Sequence, residues 1–339
     1  MNPNKFIQDF AGLGIRLQGY LSGALDVPDV DQAIAHSLNA NPWYTSYHIK
    51  ERLTTIVQHY LSSSKLQAWL SDYPDVWYDY QKDITVVMAG NIPLVGYHDY
   101  LAVLASGRTV SVKLSSKDAF LLPALHNLLC SFVPDWIRRL RYVPSVPEDT
   151  DGLIATGSDE TAAWFTARYP HLPRVVRGHR VSVAVIPANI TQEQIFGLQR
   201  DMFAYFGLGC RSVVRLFVPK EFDLMRLTVF EHLPPEASHS GFRNAYRRQK
   251  ALLTLQDVPF TDGGFFLLQQ EEGLFPPVAT VFYSVYTHIN EVIDYINANS
   301  SRLQSVVGVA GGFKNCIIFG SSQHPQLWDY ADGIDTMRL

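Results

Sequence analysis

Cysteine is scarce in this chain: three in 339 residues, at positions 130, 210 and 316. They stand 80 and 106 residues apart, so they form no CxxC pair and a structural zinc site is not expected. An odd, sparse set also builds no disulfide framework. The eleven histidines never fall into HExxH or HxH, so no catalytic metal is expected either. No apolar run reaches about 18 residues, the length that reads as a membrane span. The opening MNPNKFIQDFAGLG lacks a basic stretch followed by an apolar one, so no secretory signal is read and a cytoplasmic protein is expected. Neither charge dominates. Lys and Arg number 28 against 32 Asp and Glu, and the net −4 gives no footprint for nucleic acid or an anionic membrane.

What is present is apolar and ordered in pattern. Hydrophobic residues make up 47% and charged residues 18%, enough for packed cores. The length suits about two domains. Residues 1–80 read mostly as helix, with apolar spacing over 29–38 and 47–70 and a break at Asn41-Pro42. Trp69, Tyr73, Trp77, Tyr78 and Tyr80 are expected to pack this layer onto the next domain. ITVVMA (84–89), a helix over 94–106 and TVSVKL (109–114) form a strand–helix–strand unit, which favours a parallel sheet. A helix over 118–132 and strands at 139–143 and 152–155 come next. A helix then runs to Arg168, with strands at 175–176 and 181–186 beyond it. Thr191–Phe206 reads as one helix opened by a Thr191/Gln194 capping box. Beyond it lie a strand at 213–218, helices over 222–232 and 240–255, a strand at 280–286, a helix over 288–300, and strands at 305–310 and 316–319. The alternation predicts an α/β protein with two open sheets and a boundary near Arg180.

Several residues could carry chemistry. Cys210 sits in a Gly-Leu-Gly-Cys turn that leads into a strand. The glycines allow close backbone approach, and a thiol needs only a modest pKa drop to act as a nucleophile. Arg211 beside it would favour the thiolate, whereas the plainer reading is a small buried hydrophobe. Asn91 follows a strand in AGNIPL, where a side-chain amide can face the crevice at a sheet's carboxyl edge and donate to an oxyanion; otherwise it only forms the turn. Lys113 ends a strand ahead of Ser115 and Ser116 and suits a cofactor ribose or phosphate, or is a surface lysine. Thr156-Gly157-Ser158 opens a helix after a strand, a place for phosphate or an ordinary N-cap. His98 and His179 are acid–base candidates or structural. Arg243, Arg247, Arg248 and Lys250 form a solvated basic face, or meet an anionic handle such as the phosphates of coenzyme A. Phe203, Tyr205, Phe265 and Phe266 supply core packing or an acyl tunnel.

Taken in order, these segments resemble the aldehyde dehydrogenase superfamily from about residue 84 onward, most closely its acyl-CoA reductase branch, the LuxC-type fatty acyl reductases. MAGNIPLVGYHDYLAVLASGRTVSVKLSSKD is similar to the stretch from the oxyanion asparagine (Asn91) to the cofactor lysine (Lys113). LIATGSDETAAWF resembles the segment facing the cofactor pyrophosphate (Thr156, Gly157, Ser158). FGLGCRSVVRLFVP resembles the nucleophile segment and puts Cys210 on the catalytic cysteine. LFPPVATVFYSV with INEVIDYIN, and the closing FGSSQHPQLWDYADGIDTMRL, resemble later parts of the fold.

The resemblance implies an aldehyde dehydrogenase-like fold. A Rossmann-like cofactor domain with its helical layer would occupy 1–180 and a catalytic domain 181–315. A tail, 316–339, would finish the sheet or cover a homo-oligomer contact. It implies NADP or NAD as cofactor, with NADP placed ahead, and acyl-CoA as substrate. Two departures shape the expectation. The stretch 175–183, VVRGHRVSV, has no carboxylate where the family's water-activating glutamate stands, so reduction or thiol exchange of an acyl-enzyme is favoured over hydrolysis. His179 fills that slot as a proton donor. Glu271 and Glu272 precede Gly273-Leu274-Phe275-Pro276, a degraded form of the family's later glutamate motif. The alternatives are a CoA-independent aldehyde dehydrogenase and a non-catalytic binding protein on the same fold.

Overall fold

The computed structural model describes residues 2–74, 82–309, 313 and 316–339. Trp77, Tyr78 and Tyr80, expected to pack the helical layer, lie outside the described residues. The chain forms two compact units, Met1–His179 with Pro325–Leu339, and Arg180–His324. The 316–339 stretch, expected to act as one closing segment, is therefore divided between them.

The first unit opens with helices α1 (Pro3–Leu21), α2 (Pro28–Ala40), α3 (Ser46–Thr55) and α4 (Ser63–Ser71). The helix expected over 47–70 is interrupted: α3 widens into a π turn, Ile56–Tyr60, and α4 restarts beyond Ser62. At the break α1 passes so close that a Cβ on Gly14 would stand 2.9 Å from the Leu61 carbonyl oxygen. Next come β1 (Asp83–Val87), α5 (Tyr97–Ala105), β2 (Thr109–Lys113), α6 (Leu121–Phe132), β3 (Leu140–Tyr142), β4 (Gly152–Thr156), α7 (Asp159–Arg168) and β5 (Arg174–Arg177). The strands make a parallel sheet in the order β3-β2-β1-β4-β5. Val86, Val110, Val112 and Ile154 from its strands share one core with the helical layer, Leu327 and Met337. Val87, Leu153, Ala155 and Phe165 form a smaller core. Trp69 and Tyr73 both bond Tyr330, and Tyr73 also donates to Asp335, so these two aromatics fasten the returning tail.

The second unit carries β6 (Val181–Val185), α8 (Gln192–Phe203), β7 (Val213–Pro219), α9 (Ser240–Leu255), β8 (Thr261–Asp262), β9 (Leu267–Gln270), β10 (Thr280–Tyr286), α10 (Ile289–Ala298), β11 (Leu303–Gly308) and β12 (Cys316–Ile318). Its sheet runs β12-β11-β6-β7-β10-β9-β8, parallel except for the β8–β9 pair. The expected Thr191 capping box is formed in full. The helix expected over 222–232 is reduced to a short 3-10 turn, Leu224–Thr228, in which only Leu227 is buried. With one buried residue there is no apolar stripe to hold a longer helix.

Candidate functional site

In the first sheet all strands run one way, so their carboxyl ends share an edge. Chain connectivity reverses between β1 and β4, the switch point where open α/β sheets take ligands. Asn91 follows β1, and Thr156-Gly157-Ser158 closes β4. Lys113 ends β2 and pairs with Val87, while Ala155 pairs with Val87 on the other side. Asn91, Lys113, Ser115, Thr156, Gly157, Ser158 and His179 thus all come from one edge, grouped around this reversal.

The turn after β1 is held tightly. Gly90, Ile92, Pro93 and Leu94 are buried, and Asn91 between them is exposed. A Cβ on Gly90 would stand 2.6 Å from Ser115 Oγ, so only glycine fits beside the loop after β2. Asn41 Nδ2 donates to the Gly90 carbonyl at 3.1 Å and to Lys117 O at 3.4 Å, and the Tyr44 hydroxyl reaches Gly90 O at 3.5 Å. The Leu94 amide donates to Asp118 Oδ2 at 2.7 Å, and Arg52 donates to Leu94 O at 3.4 Å. Burial pushes the Asp118 carboxyl up to about 7, against the opposing pull of the Leu94 amide, Tyr44 and Arg52. Of these four, the sequence marks only Asn41, as a break between helices, and gives no sign of Tyr44, Arg52 or Asp118.

Ser158 caps α7, accepting from the Thr161 amide at 3.3 Å. The first turn also carries Asp159 and Glu160. Glu160 accepts from the Ser158 hydroxyl at 3.1 Å, and Asp159 Oδ1 accepts from the His179 amide at 2.7 Å. The His179 ring is exposed. Arg177, two residues earlier, is buried in a bidentate pair with Asp99 at 2.6 and 3.1 Å, which ties β5 to the first turn of α5. His98 donates to Leu327 O at 2.8 Å and packs against Tyr60 and Tyr330, a structural setting.

Cys210 belongs to the second unit, at the amino end of β7. Helix α8, expected to run to Phe206, stops at Phe203 because Tyr205 and Phe206 adopt φ of 56° and 62° and Gly207 φ of 72°. Left-handed backbone costs a non-glycine residue about 1–2 kcal/mol, so two in succession must be held by their surroundings. Both rings are buried, and Phe206 packs on His239 at 4.5 Å and Phe242 at 5.8 Å. The Ser212 amide then bonds Gly209 O at 3.0 Å, closing a turn with half-buried Cys210 and Arg211 in its middle. Ser182 Oγ donates to Cys210 O at 3.0 Å and meets Ser305 Oγ at 2.6 Å. Asp201 on α8 accepts from the Gly320 and Ser322 amides at 2.6 and 3.0 Å, and burial pushes it up to about 6. Burial raises the Cys130 and Cys316 thiols, away from easy ionisation.

Further along β7, Arg215 is fully buried. It donates to the Glu271 and Gly273 carbonyls at 2.6 and 2.7 Å and to Ser284 Oγ at 2.6 Å, so it sets the backbone of the glutamate-containing loop after β9. An arginine inside the apolar strand VVRLFVP was the signal for it. Phe203, Tyr205, Phe265 and Phe266 are all buried, and Phe203, Phe265 and Phe266 pack tilted or edge-on against one another at 4.7–5.2 Å as packed core. On α9, Lys250 pairs with Asp262 at 2.6 Å, while the exposed Arg243, Arg247 and Arg248 form no ion pair among the described residues.

The first unit's edge fits a nicotinamide dinucleotide in its donor set. Lys113 is a half-buried cation at the end of β2, and the Ser158 cap, which takes the Thr161 amide, leaves the first amides of α7 available at a switch point of the sheet. The Glu160 carboxylate acts against that positive end. No group of three or more His, Cys, Asp or Glu able to hold a metal occurs among the described residues.

No protein-family model matches the sequence, and no curated protein matches it. Solved structures do. An NAD-dependent aldehyde dehydrogenase from Sinorhizobium meliloti superposes with a TM-score of 0.68 at 11% identity, covering 94% of this chain and 74% of that one. Aldehyde dehydrogenase 21 from Physcomitrella patens, in complex with its reaction product succinate, gives 0.66 at 12% identity, covering 95% and 79%. The NAD+ complex of an aldehyde dehydrogenase from Bacillus cereus gives 0.65 at 14% identity, covering 92% and 73%. At such identities the likeness speaks for architecture, and the chain has the aldehyde dehydrogenase fold.

Proposed function

We propose that the protein reduces an acyl-CoA thioester, of a fatty acyl type, to the aldehyde: acyl-CoA + NAD(P)H + H+ gives aldehyde + CoA + NAD(P)+. The observation that carries this reading is the Cys210 turn, a half-buried thiol between Gly209 and Ser212 just after left-handed backbone at Tyr205–Gly207, in a chain of aldehyde dehydrogenase fold. The Cys210 thiolate attacks the thioester carbonyl. The Asn91 amide and the Cys210 backbone N–H stabilise the oxyanion. The C–S bond to coenzyme A breaks, leaving an acyl group on Cys210, and His179 provides the proton for the departing thiolate. A bound NAD(P)H, held by Lys113, Ser115, Thr156, Gly157 and Ser158, supplies the hydride. The thiohemiacetal on Cys210 then releases aldehyde and restores the thiolate.

Two features favour reduction over hydrolysis. Residues 175–183 contain no carboxylate to activate water, and two that reach them are engaged: Asp159 accepts from the His179 amide and Asp99 is paired with Arg177. A multiply anionic substrate also suits the exposed arginines of α9. Exchanging Arg243 and Arg247 for glutamine should raise KM for acyl-CoA several-fold and leave KM for the uncharged acyl-pantetheine unchanged. Equal effects on both would remove α9 from the substrate path.

The test is incubation with a fatty acyl-CoA and NADPH, following nicotinamide absorbance and aldehyde, with a labelled acyl group trapped on the protein. Turnover and a covalent adduct in the wild type, both lost in Cys210→Ala, are expected. Full activity in Cys210→Ala would contradict the assignment. The structural neighbours favour a second reading, CoA-independent oxidation of an aldehyde; rapid acid formation from free aldehyde and NAD(P)+ without CoA would select it.

A further inference from the structure

We propose that Asn41, Tyr44, Arg52 and Asp118 form a buried clamp that positions Asn91; the proposal rests on the reading of Asn91 as oxyanion donor. The four side chains are at most 8% exposed, yet all are polar or charged. Burying such groups is expensive unless each finds a partner, and a helical layer needing only to pack would do so with aliphatic residues. Here most of the partners are backbone atoms of one turn, and two atoms of the cluster, Asp118 Oδ1 and Arg52 Nε, are buried with no hydrogen-bond partner among the described residues. Asn41 and Tyr44 hold the Gly90 carbonyl, immediately before Asn91. Asp118 and Arg52 hold the Leu94 amide and carbonyl, three residues after it.

Leu94 itself is kept at φ 52°, a left-handed conformation that a leucine leaves unless constrained. Asn41 also bonds Lys117 O, and the Asp118 amide bonds Ser115 O, so the same cluster fixes the loop that Gly90 touches. The Tyr44 hydroxyl and the Asp118 carboxyl act on each other electrostatically, which couples the two halves of the clamp. Gly90, Ile92, Pro93 and Leu94 around Asn91 are thus buried and pinned at Gly90 and Leu94, and Asn91 itself is exposed at the switch point. The helical layer contributes positioning residues to the site.

The test uses the full-length chain with Tyr44→Phe, Asn41→Ala and Asp118→Asn. Tyr44→Phe keeps the ring packing, so at least one variant folds with the wild-type melting profile. Each variant should lower single-turnover acylation of Cys210 by roughly 10- to 100-fold, the cost of a small misplacement, and Tyr44→Phe, whose hydroxyl reaches Gly90 O and not the Ser115–Lys117 loop, should leave nicotinamide cofactor affinity unchanged. Added to Asn91→Ala, the same substitutions should cost nothing further, because their effect passes through Asn91. Amide hydrogen exchange over 88–96 should quicken in the variants while other segments stay protected. Additive losses on the Asn91→Ala background, or unchanged acylation in all three, would overturn the clamp. If the wild type shows no acylation, the proposed function fails and exchange alone decides: unchanged protection over 88–96 overturns the clamp, and selective loss supports it.

Discussion

The turn that carries Asn91 contains left-handed backbone at Leu94, and the turn that carries Cys210 directly follows left-handed backbone at Tyr205–Gly207, but different forces hold them. The Asn91 turn is fixed by polar side chains from the loop after α2, from α3 and from the loop after β2, which grip its carbonyls and an amide. The Cys210 turn is fixed by ring packing on two consecutive left-handed aromatics, with serine hydroxyls around the cysteine. Hydrogen bonds are directional and set an orientation; apolar packing sets a position and tolerates small rotations. An oxyanion donor must be aimed, whereas a thiolate must be exposed and able to move with its acyl group. The contrast matches the two proposed tasks.

The comparison can be broken at several levels. The largest effects are expected at the two side chains themselves. Cys210→Ala should abolish both covalent acylation and turnover. Asn91→Ala should retain the thiol's reaction with iodoacetamide while acylation by thioester falls roughly 100- to 1,000-fold, as when one oxyanion donor is lost. Parallel loss of both reactions in Asn91→Ala would show that asparagine to be structural.

Next come the glycines. Gly90→Ala drives a methyl into Ser115 and should destabilise the first unit by about 1–3 kcal/mol, as overpacking does. Gly207→Ala meets only the Met202 carbonyl at 3.5 Å, so its penalty is the left-handed backbone, about 1–2 kcal/mol. Denaturant midpoints check both. A larger loss at Gly207 would reverse the assignment of steric and conformational causes.

The smallest effects concern pH. Each unit buries a carboxylate that accepts backbone amides: Asp118, pushed up to about 7, and Asp201, pushed up to about 6. Both titrate near 4 when unfolded. Above that value the unfolded chain releases protons that the folded chain keeps, so stability falls as pH rises from about 4 through about 7. The wild-type midpoint should be lower at about pH 8 than at about pH 5, and Asp118→Asn should shrink that difference. An undiminished difference would show that Asp118 is not the group responsible.

Much of this was legible along the chain. The strands of both sheets announce themselves as β-branched runs, and α9 and the Thr191 cap fall where period and capping residues place them. Short or irregular pieces were not. FFLLQQ is too brief to distinguish β9 from a buried turn, and 222–232 has helical spacing without a face to bury. The end of α8 depended on Tyr205 and Phe206 taking a conformation that their side chains disfavour. Of the candidate site, Cys210, Asn91, Lys113 and the Thr156-Gly157-Ser158 segment could be named because glycine and strand ends mark them. Their supports could not, since Asn41 lies 49 residues from Gly90, and Arg52 42 residues from Leu94, with no local pattern to connect them.

The central claim is that Cys210 carries an acyl group destined for reduction. Mass measurement of the intact protein after brief exposure to a fatty acyl-CoA, before and after NADPH is added, tests it most directly. A mass increase of one acyl group on Cys210 is expected, one that persists in buffer and disappears with NADPH as aldehyde forms. An adduct that hydrolyses to acid in buffer alone, or one on another residue, would contradict it.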